Sequence, residues 1–314
     1  MGKYVLKRFL LLIPTLFIVL SIVFLLLRFA KGSPARELLI EENPEITPSP
    51  EEVYAKEVEM GLHDPILTQL VRFYGQILRG DWGQSYKYKM PVFEMYMQRI
   101  PATIALAAAG TAVAIIISMV LGVIAALRRG TLLDNAISAV AVIGIAAPIF
   151  WVGLMLIILF ALNLGWFHSG GFESPKDIVL PAACLGFNFC ALMTRTTRSS
   201  MIDVLSQDYL LLARAKGVSE RKVITKHALK NALIPIITVG GIKFSGALGG
   251  SVVTESVFAW PGVGRFVVDA IKKQDVEVVT GFIILTAIFS SLVLLAVDIL
   301  YAFVDPRIKS QYSK

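Results

Sequence analysis

The side chains best suited to chemistry form no catalytic set in this chain. The three histidines, His63, His168 and His227, are far apart and none belongs to an H-E-x-x-H pair, so a metal finds no ligands at a workable spacing. Cys184 and Cys190 lie six apart, which on a helix turns them roughly 120° from each other, and they suggest neither a disulfide framework nor a metal clip. The only Gly-Lys pair is Gly2-Lys3, so the chain has no P-loop for ATP, and no Gly-x-Ser-x-Gly nucleophile turn occurs either. What remains is a cationic stretch at Asp208 to Ile236 and a few charges set in apolar sequence, chiefly Lys243 and Glu255. Such residues suit docking and passage, with bond-making left to other proteins.

The elements that would position them are membrane spans. Of 314 residues, 56% are hydrophobic and only 17% charged, too apolar and too poor in charge for a soluble domain. The net charge of +7 does not point to nucleic acid, because the basic residues flank apolar runs instead of lining one soluble face. Phe9 to Leu27 is long enough to cross about 30 Å of hydrocarbon, and "RFAKGSPAR" after it lacks a small-residue cleavage pattern, so a retained span is expected. Further runs at Ala102 to Leu127, Ala136 to Leu162, Ile178 to Thr197, Ala232 to Phe258 and Val278 to Phe303 bring the expectation to six. Pro148 in the third and Pro235 at the start of the fifth are expected to kink their helices.

Six spans leave both termini on one side. With the termini inside, the inner segments hold sixteen Lys/Arg and the two short outer loops only Lys176, Arg265, Lys272 and Lys273, so the positive-inside rule places both termini in the cytoplasm. The chain then divides into residues 1–30 (cytoplasmic N-terminus and first span), a small extracytoplasmic domain at 31–98, a membrane core at 99–304 with an inner loop at 205–231, and a cytoplasmic tail at 305–314. Within the outer segment "EENPEITPSPEE" reads as solvated loop. "DPILTQLVRFYGQILRG" has apolar residues at Ile66, Leu67, Leu70, Val71, Tyr74, Ile77 and Leu78, a helical spacing, and the helix is expected to lie on the membrane or face a partner.

The inner loop carries six Lys/Arg between Asp208 and Ile236. Asp208 is placed to cap a helix "YLLLARAK", and Gly217 suits the left-handed turn that ends one. Ser219 is placed to cap a second helix, "ERKVITKHALKNAL", ending at Pro235. Two short helices around a glycine elbow are therefore expected. Leu210, Leu211, Leu212, Ala213 and Ala215 make an apolar cluster too short to span, suited either to anionic lipid headgroups or to a cytoplasmic partner.

"LLLARAKGVSERKVITKHALKNALIP" resembles the EAA loop of bacterial ABC importer permeases, in the form found in the dipeptide, oligopeptide and nickel branch. "RGDWGQSY", "RIPATIALA", "GGSVVTESVFAWPGVGRFVVDAI" and "DILYAFVDPRI" extend the likeness along the chain. Leu211 stands where the general loop motif has Glu, Leu212 where it has its first Ala, and Lys230 where it has Pro; Ala213 and Gly217 match. The resemblance implies an all-α, six-span permease of the type I ABC importer fold in a bacterial plasma (inner) membrane, without enzymatic activity. It implies ATP and Mg on two ATP-binding partner subunits, a second homologous permease, an extracytoplasmic substrate-binding protein, and membrane lipid around the spans. Leu212, Ala213, Arg214, Ala215, Lys216, Gly217 and Ser219 would belong to a coupling helix seated on the ATPase, with Arg214 and Lys216 facing acidic groove residues.

Lys243 falls near the middle of the expected fifth span, where a charge costs about 2.5–3.5 kcal/mol on insertion scales and so needs a partner or a wet cavity. It either lines the pathway and meets an acidic group of the cargo, or pairs with Glu255, Asp298 or the partner permease. Gly246 and Gly250 form a G-x-x-x-G pair suited to close helix contact. Glu255 and Trp260, in and beside "FAWPGVG", read as an interfacial anchor and cap, while the resemblance puts this turn at the outer mouth of the pathway. The expected function is import of short peptides, nickel or its chelates, or glutathione by alternating access driven by partner ATPases. The rival is an ion-gradient-driven secondary transporter, whose inverted repeats are not evident in the sequence.

Overall fold

The computed structural model describes residues 2–29, 33–42, 47–85, 87–249, 251–273 and 275–304, so Gly250 and the tail at 305–314 lie outside the described residues. The elements are α1 (Gly2–Phe29), α2 (Pro34–Glu42), α3 (Pro50–Glu59), α4 (Ile66–Leu78), α5 (Val92–Leu127), α6 (Leu132–Ala146), α7 (Ile149–Leu156), α8 (Val179–Leu205), α9 (Asp208–Ala215), α10 (Glu220–Lys222), α11 (Leu229–Leu248), α12 (Val252–Val257), α13 (Val263–Lys272) and α14 (Val276–Val304). A π-helical stretch, Ile157–Asn163, prolongs α7, and another, Val223–Ala228, joins α10 to α11.

Among the described residues five helical stretches are long and apolar enough to cross a membrane: Phe9–Leu26, Val92–Leu127, Pro175–Leu205, Glu220–Leu248 and Val276–Val297. A sixth candidate is bent, Leu132–Ala146 and Ile149–Asn163 meeting at 103°. Pro148 therefore does more than kink the third span. Ala147 and Pro148 are both extended, and Pro148 caps α7 without a backbone N–H to continue α6. Pro235, in contrast, does not stop its helix, which runs on to Leu248; helix-breaking residues are tolerated in membrane helices where neighbours take up the freed backbone groups. The fifth span also ends earlier than Phe258, because the chain turns after Leu248 into the separate α12.

The chain forms two compact units, one of residues 1–9, 101–265 and 290–314, the other of 10–100 and 266–289. The first is organised around α8, which packs against α6, α7, α11 and α12. Small residues set its close contacts: a methyl at Gly110 would lie 2.8 Å from Leu185, and one at Gly186 would lie 2.6 Å from Val113. In the second unit α4 lays Phe73, Tyr74 and Ile77 against Leu20, Val23 and Ile284. The helical spacing of "DPILTQLVRFYGQILRG" thus has a packed face, while Leu67, Val71 and Leu78 stay 72–85% exposed on the other side.

Candidate functional site

The loop after α8 folds into an elbow closed by backbone hydrogen bonds. Gln207 occupies the cap position and Asp208 is the first helical residue, one place later than the cap expected from sequence, because α8 closes on Ser206 and Gln207 by bonds to Ile202 and Val204 carbonyls. Asp208 still puts a negative charge at the positive end of α9. At the other end Gly217 N–H bonds to the Arg214 carbonyl at 2.9 Å and Val218 N–H to the Ala213 carbonyl at 3.2 Å. With Gly217 at φ +77° this is a Schellman closure, the left-handed turn the glycine makes easy. Ser219 begins the second arm, yet its hydroxyl caps nothing; its carbonyl receives Lys222 and Val223 N–H. That arm is not a short helix, since α10, the π stretch and α11 run on as the fifth span.

Burial sorts the leucines of α9 by role. Leu210 is fully buried among Ala126, Met201, Val223, Ala228 and Ala232, which come from α5, α8 and the second arm, and Ala213 packs against the same cluster. Leu211 and Leu212, next in sequence, are 58% and 57% exposed. A helix turns about 100° per residue, so one anchored leucine leaves its neighbours pointing out. Arg214 spans the turn to Glu220, with Nε and Nη2 donating at 3.0 and 2.8 Å, and this bond holds the arginine pKa above its usual value. Its charge braces the elbow from within. Ala215 and Lys216 are exposed at the tip. Asn231 ties the base by donating to Tyr209 Oη at 2.7 Å.

One turn above Met201, Arg198 grips the start of α6. Its Nε and Nη2 donate to the two carboxylate oxygens of Asp134 at 2.6 and 2.7 Å, and Gly130 N–H adds a third bond at 2.9 Å. Asp134 is 1% exposed, so this planar fork satisfies a buried charge. Nothing in the sequence pairs Arg198 with a residue 64 positions away.

A second buried carboxylate organises the turn after α12. Glu255 is fully buried, with Oε1 receiving Thr103 Oγ1 at 3.0 Å and Oε2 receiving Arg265 N–H at 3.0 Å. Gly262 and Gly264 press onto it: a methyl at Gly262 would collide with the carboxylate and one at Gly264 would sit 3.1 Å from it. Trp260 is also fully buried and donates Nε1–H to the Ala102 carbonyl at 2.9 Å. It is therefore no headgroup anchor, because its indole N–H is satisfied inside the protein.

Lys243 lies five residues before the end of α11, nearer the helix end than the middle of the span. Its ammonium sits 5.4 Å from the centre of the Phe189 ring, and Glu255, occupied as described, is not its partner. Among the described residues Gly246 has open space where a side chain would be, and a methyl at Gly241 would lie 2.4 Å from Val297.

These features define an all-helical polytopic membrane protein with a loop-borne elbow, and solved structures share the fold. A structure of the MetNI methionine ABC transporter in an inward-facing conformation matches with a TM-score of 0.57 at 20% identity, covering 68% of this chain and 97% of that one. The sequence profile of the family "Binding-protein-dependent transport system inner membrane component" matches residues 118–310, and the chain belongs to that family. Over 98% of its length it is 38% identical to the whole of the oligopeptide transport system permease protein AppB of Bacillus subtilis (strain 168). It is 40% identical to the glutathione transport system permease protein GsiC of Escherichia coli (strain K12), with 98% of this chain and 99% of that one covered. The chain is thus the membrane-spanning permease subunit of an ABC importer and not an enzyme, and the ion-gradient alternative has no support.

Proposed function

We propose that this subunit forms half of the pathway by which an importer takes up short peptides, with glutathione-like peptides included and nickel chelates a lesser candidate. The substrate reading is supported by the two relatives above, whose names specify oligopeptides and glutathione. Its partners are a second related permease, two ATPase subunits that hold ATP and Mg, and a substrate-loaded binding protein outside. Both termini and the elbow lie in the cytoplasm of a bacterial cell, and residues 31–98 lie outside. The pathway opens alternately to the two sides, and cargo moves because its affinity differs between those states.

The observation that carries the coupling role is the exposed Leu211–Leu212 pair on a helix whose neighbour Leu210 is fully buried. An apolar knob on a fixed base can transmit displacement, and the elbow seats there on an ATPase subunit. Replacing both leucines with Asp leaves the buried cluster intact, so insertion should persist while the ATPases no longer co-purify. Full recovery of the ATPases with that variant would refute the assignment. Lys243 is proposed to face the pathway and attract the carboxylate that every free peptide carries.

A further inference from the structure

The helix α4 is held against α1 at a depth that belongs to the membrane. Tyr74 Oη donates to the Phe17 carbonyl at 2.7 Å and pairs with Ser21 Oγ at 2.8 Å. Phe73 meets Phe24 with ring centres 5.5 Å apart, and Ile77 joins them over Leu20 and Val23. The apolar stretch of α1 is Phe9–Leu26, and Phe17 stands at its middle. At 1.5 Å per residue that carbonyl lies about 12–14 Å from either end of the stretch, well inside a hydrocarbon core about 30 Å thick. Arg28, just past the stretch, donates to the Leu62 carbonyl at 2.8 Å in the turn before α4. The helix therefore slopes inward from the level of Arg28, and Tyr74 reaches down from it.

The Phe17 ring, 54% exposed at mid-span, lies in the hydrocarbon layer, and Tyr74 stacks on it with ring centres 5.2 Å apart. The medium around this stack is also the medium around the helix face that carries Tyr74. Positions seven before, three before and four after a helical residue share its face. For Tyr74 these are Leu67, Val71 and Leu78, which are 75%, 72% and 85% exposed. Gly75, beside them, has no atom within 4 Å of where a side chain would start. The next flank round the helix is polar, with Thr68, Arg72, Gln76 and Arg79 exposed, and Arg72 donates back to Asp64 at 2.6 Å. Polar groups on the packed side are satisfied within the chain: Tyr74 and Ser21 as described, and Gln69 by the Leu62 and Asp64 carbonyls. Hydrocarbon requires such internal pairing, whereas water does not.

We propose that α4 is an interfacial helix sunk into the leaflet where α1 ends, its Leu67–Val71–Leu78 flank immersed in lipid acyl chains and its Arg72–Gln76–Arg79 flank at the headgroups. The inference rests on α1 being a span, and the leaflet is the outer one in the orientation proposed above. An aliphatic flank continuous with the Phe17 face of the span, with a gap at Gly75, offers a folded partner no hydrogen bond, while acyl chains conform to it. One apolar and one polar flank is the arrangement by which amphipathic helices lie in a membrane surface. The segment 31–98 is then held to the bilayer in its middle as well as at its two ends, and α4 moves with α1.

The test places single spin labels on the assembled complex in nanodiscs of phosphatidylethanolamine and phosphatidylglycerol. Cys190→Ser first removes the partly buried native thiol, and Cys184, 1% exposed, stays. Labels enter at Leu67→Cys, Val71→Cys and Leu78→Cys, where the native side chains touch little, and at Thr68→Cys and Gln76→Cys on the polar flank. Collision with oxygen, which concentrates in hydrocarbon, is compared with collision with a water-soluble nickel chelate. The expected result is an oxygen-to-nickel ratio several-fold higher on the aliphatic flank than on the polar one. Equal ratios on the two flanks would overturn the proposal by placing α4 in water. Labels on the aliphatic flank shielded from both reagents would overturn it as well, by seating a protein such as the second permease there. A topology assay that inverted the termini would change the leaflet and leave this contrast as it stands, so failure of the orientation and failure of the proposal are told apart.

Discussion

Replacing Gly217 isolates the elbow's geometry from its contacts. No atom lies within 4 Å of where a side chain would start, so a new residue meets no clash and its cost is that of the backbone. At φ +77° a non-glycine residue loses about 1–2 kcal/mol, and a β-branched one stands at or above the top of that range. If the turn escapes by changing conformation, it gives up the Gly217-to-Arg214 and Val218-to-Ala213 bonds, worth about 0.5–1.5 kcal/mol each. Either route costs Gly217→Val about 2 kcal/mol, which at 1.4 kcal/mol per decade lowers the share of correctly formed elbow about 30-fold. Asn tolerates the left-handed region better than Ala, and Ala better than Val. Substrate-dependent ATP hydrolysis and uptake, normalised to subunit inserted, should therefore fall in the order Gly, Asn, Ala, Val. Full activity of Gly217→Val, or Asn falling below Val, would refute the conformational argument.

Other perturbations should separate just as clearly. Leu210→Ala removes a fully buried leucine and should cost about 2–5 kcal/mol, read as a lower melting temperature of the purified complex. Arg198→Met leaves the Asp134 carboxylate without its fork and should lower the melting temperature of the purified complex, whereas the double change with Asp134→Leu should recover much of it; a double variant no better than the single would argue against the fork. Gly262→Ala forces a methyl onto Glu255 and should lower stability, with Thr103→Ala milder because it removes one bond and adds no clash. Lys243→Gln should raise the concentration for half-maximal uptake of free peptides relative to peptides with amidated C-termini; unchanged kinetics for both would remove Lys243 from the pathway.

Much of this architecture was legible because membrane spans announce themselves by length and apolarity. Five of the six runs correspond to single helices long enough to span and the sixth to the bent pair, and Gly217 was readable as a left-handed stop because few residues serve that purpose as well. What escaped was decided by contacts between distant parts of the chain. Pro148 marks a break, but the 103° angle reflects packing of α7 against α8 and α12. Trp260 looks like an interfacial anchor in sequence, and only the carbonyl of Ala102, 158 residues away, makes its burial possible. Arg214 reads as a free cation until the turn at Gly217 brings Glu220 alongside it. Pro235 passes unnoticed through its helix, since the elbow's second arm is continuous with the fifth span.

The most direct measurement is purification of the subunit from its native membrane in mild detergent, identification of everything bound to it, and reconstitution of that assembly in liposomes. Recovery of two P-loop ATPases and a second permease, with peptide uptake strictly dependent on ATP and on the loaded binding protein, is the predicted result. Solute movement by this chain alone in liposomes without ATP would contradict the account.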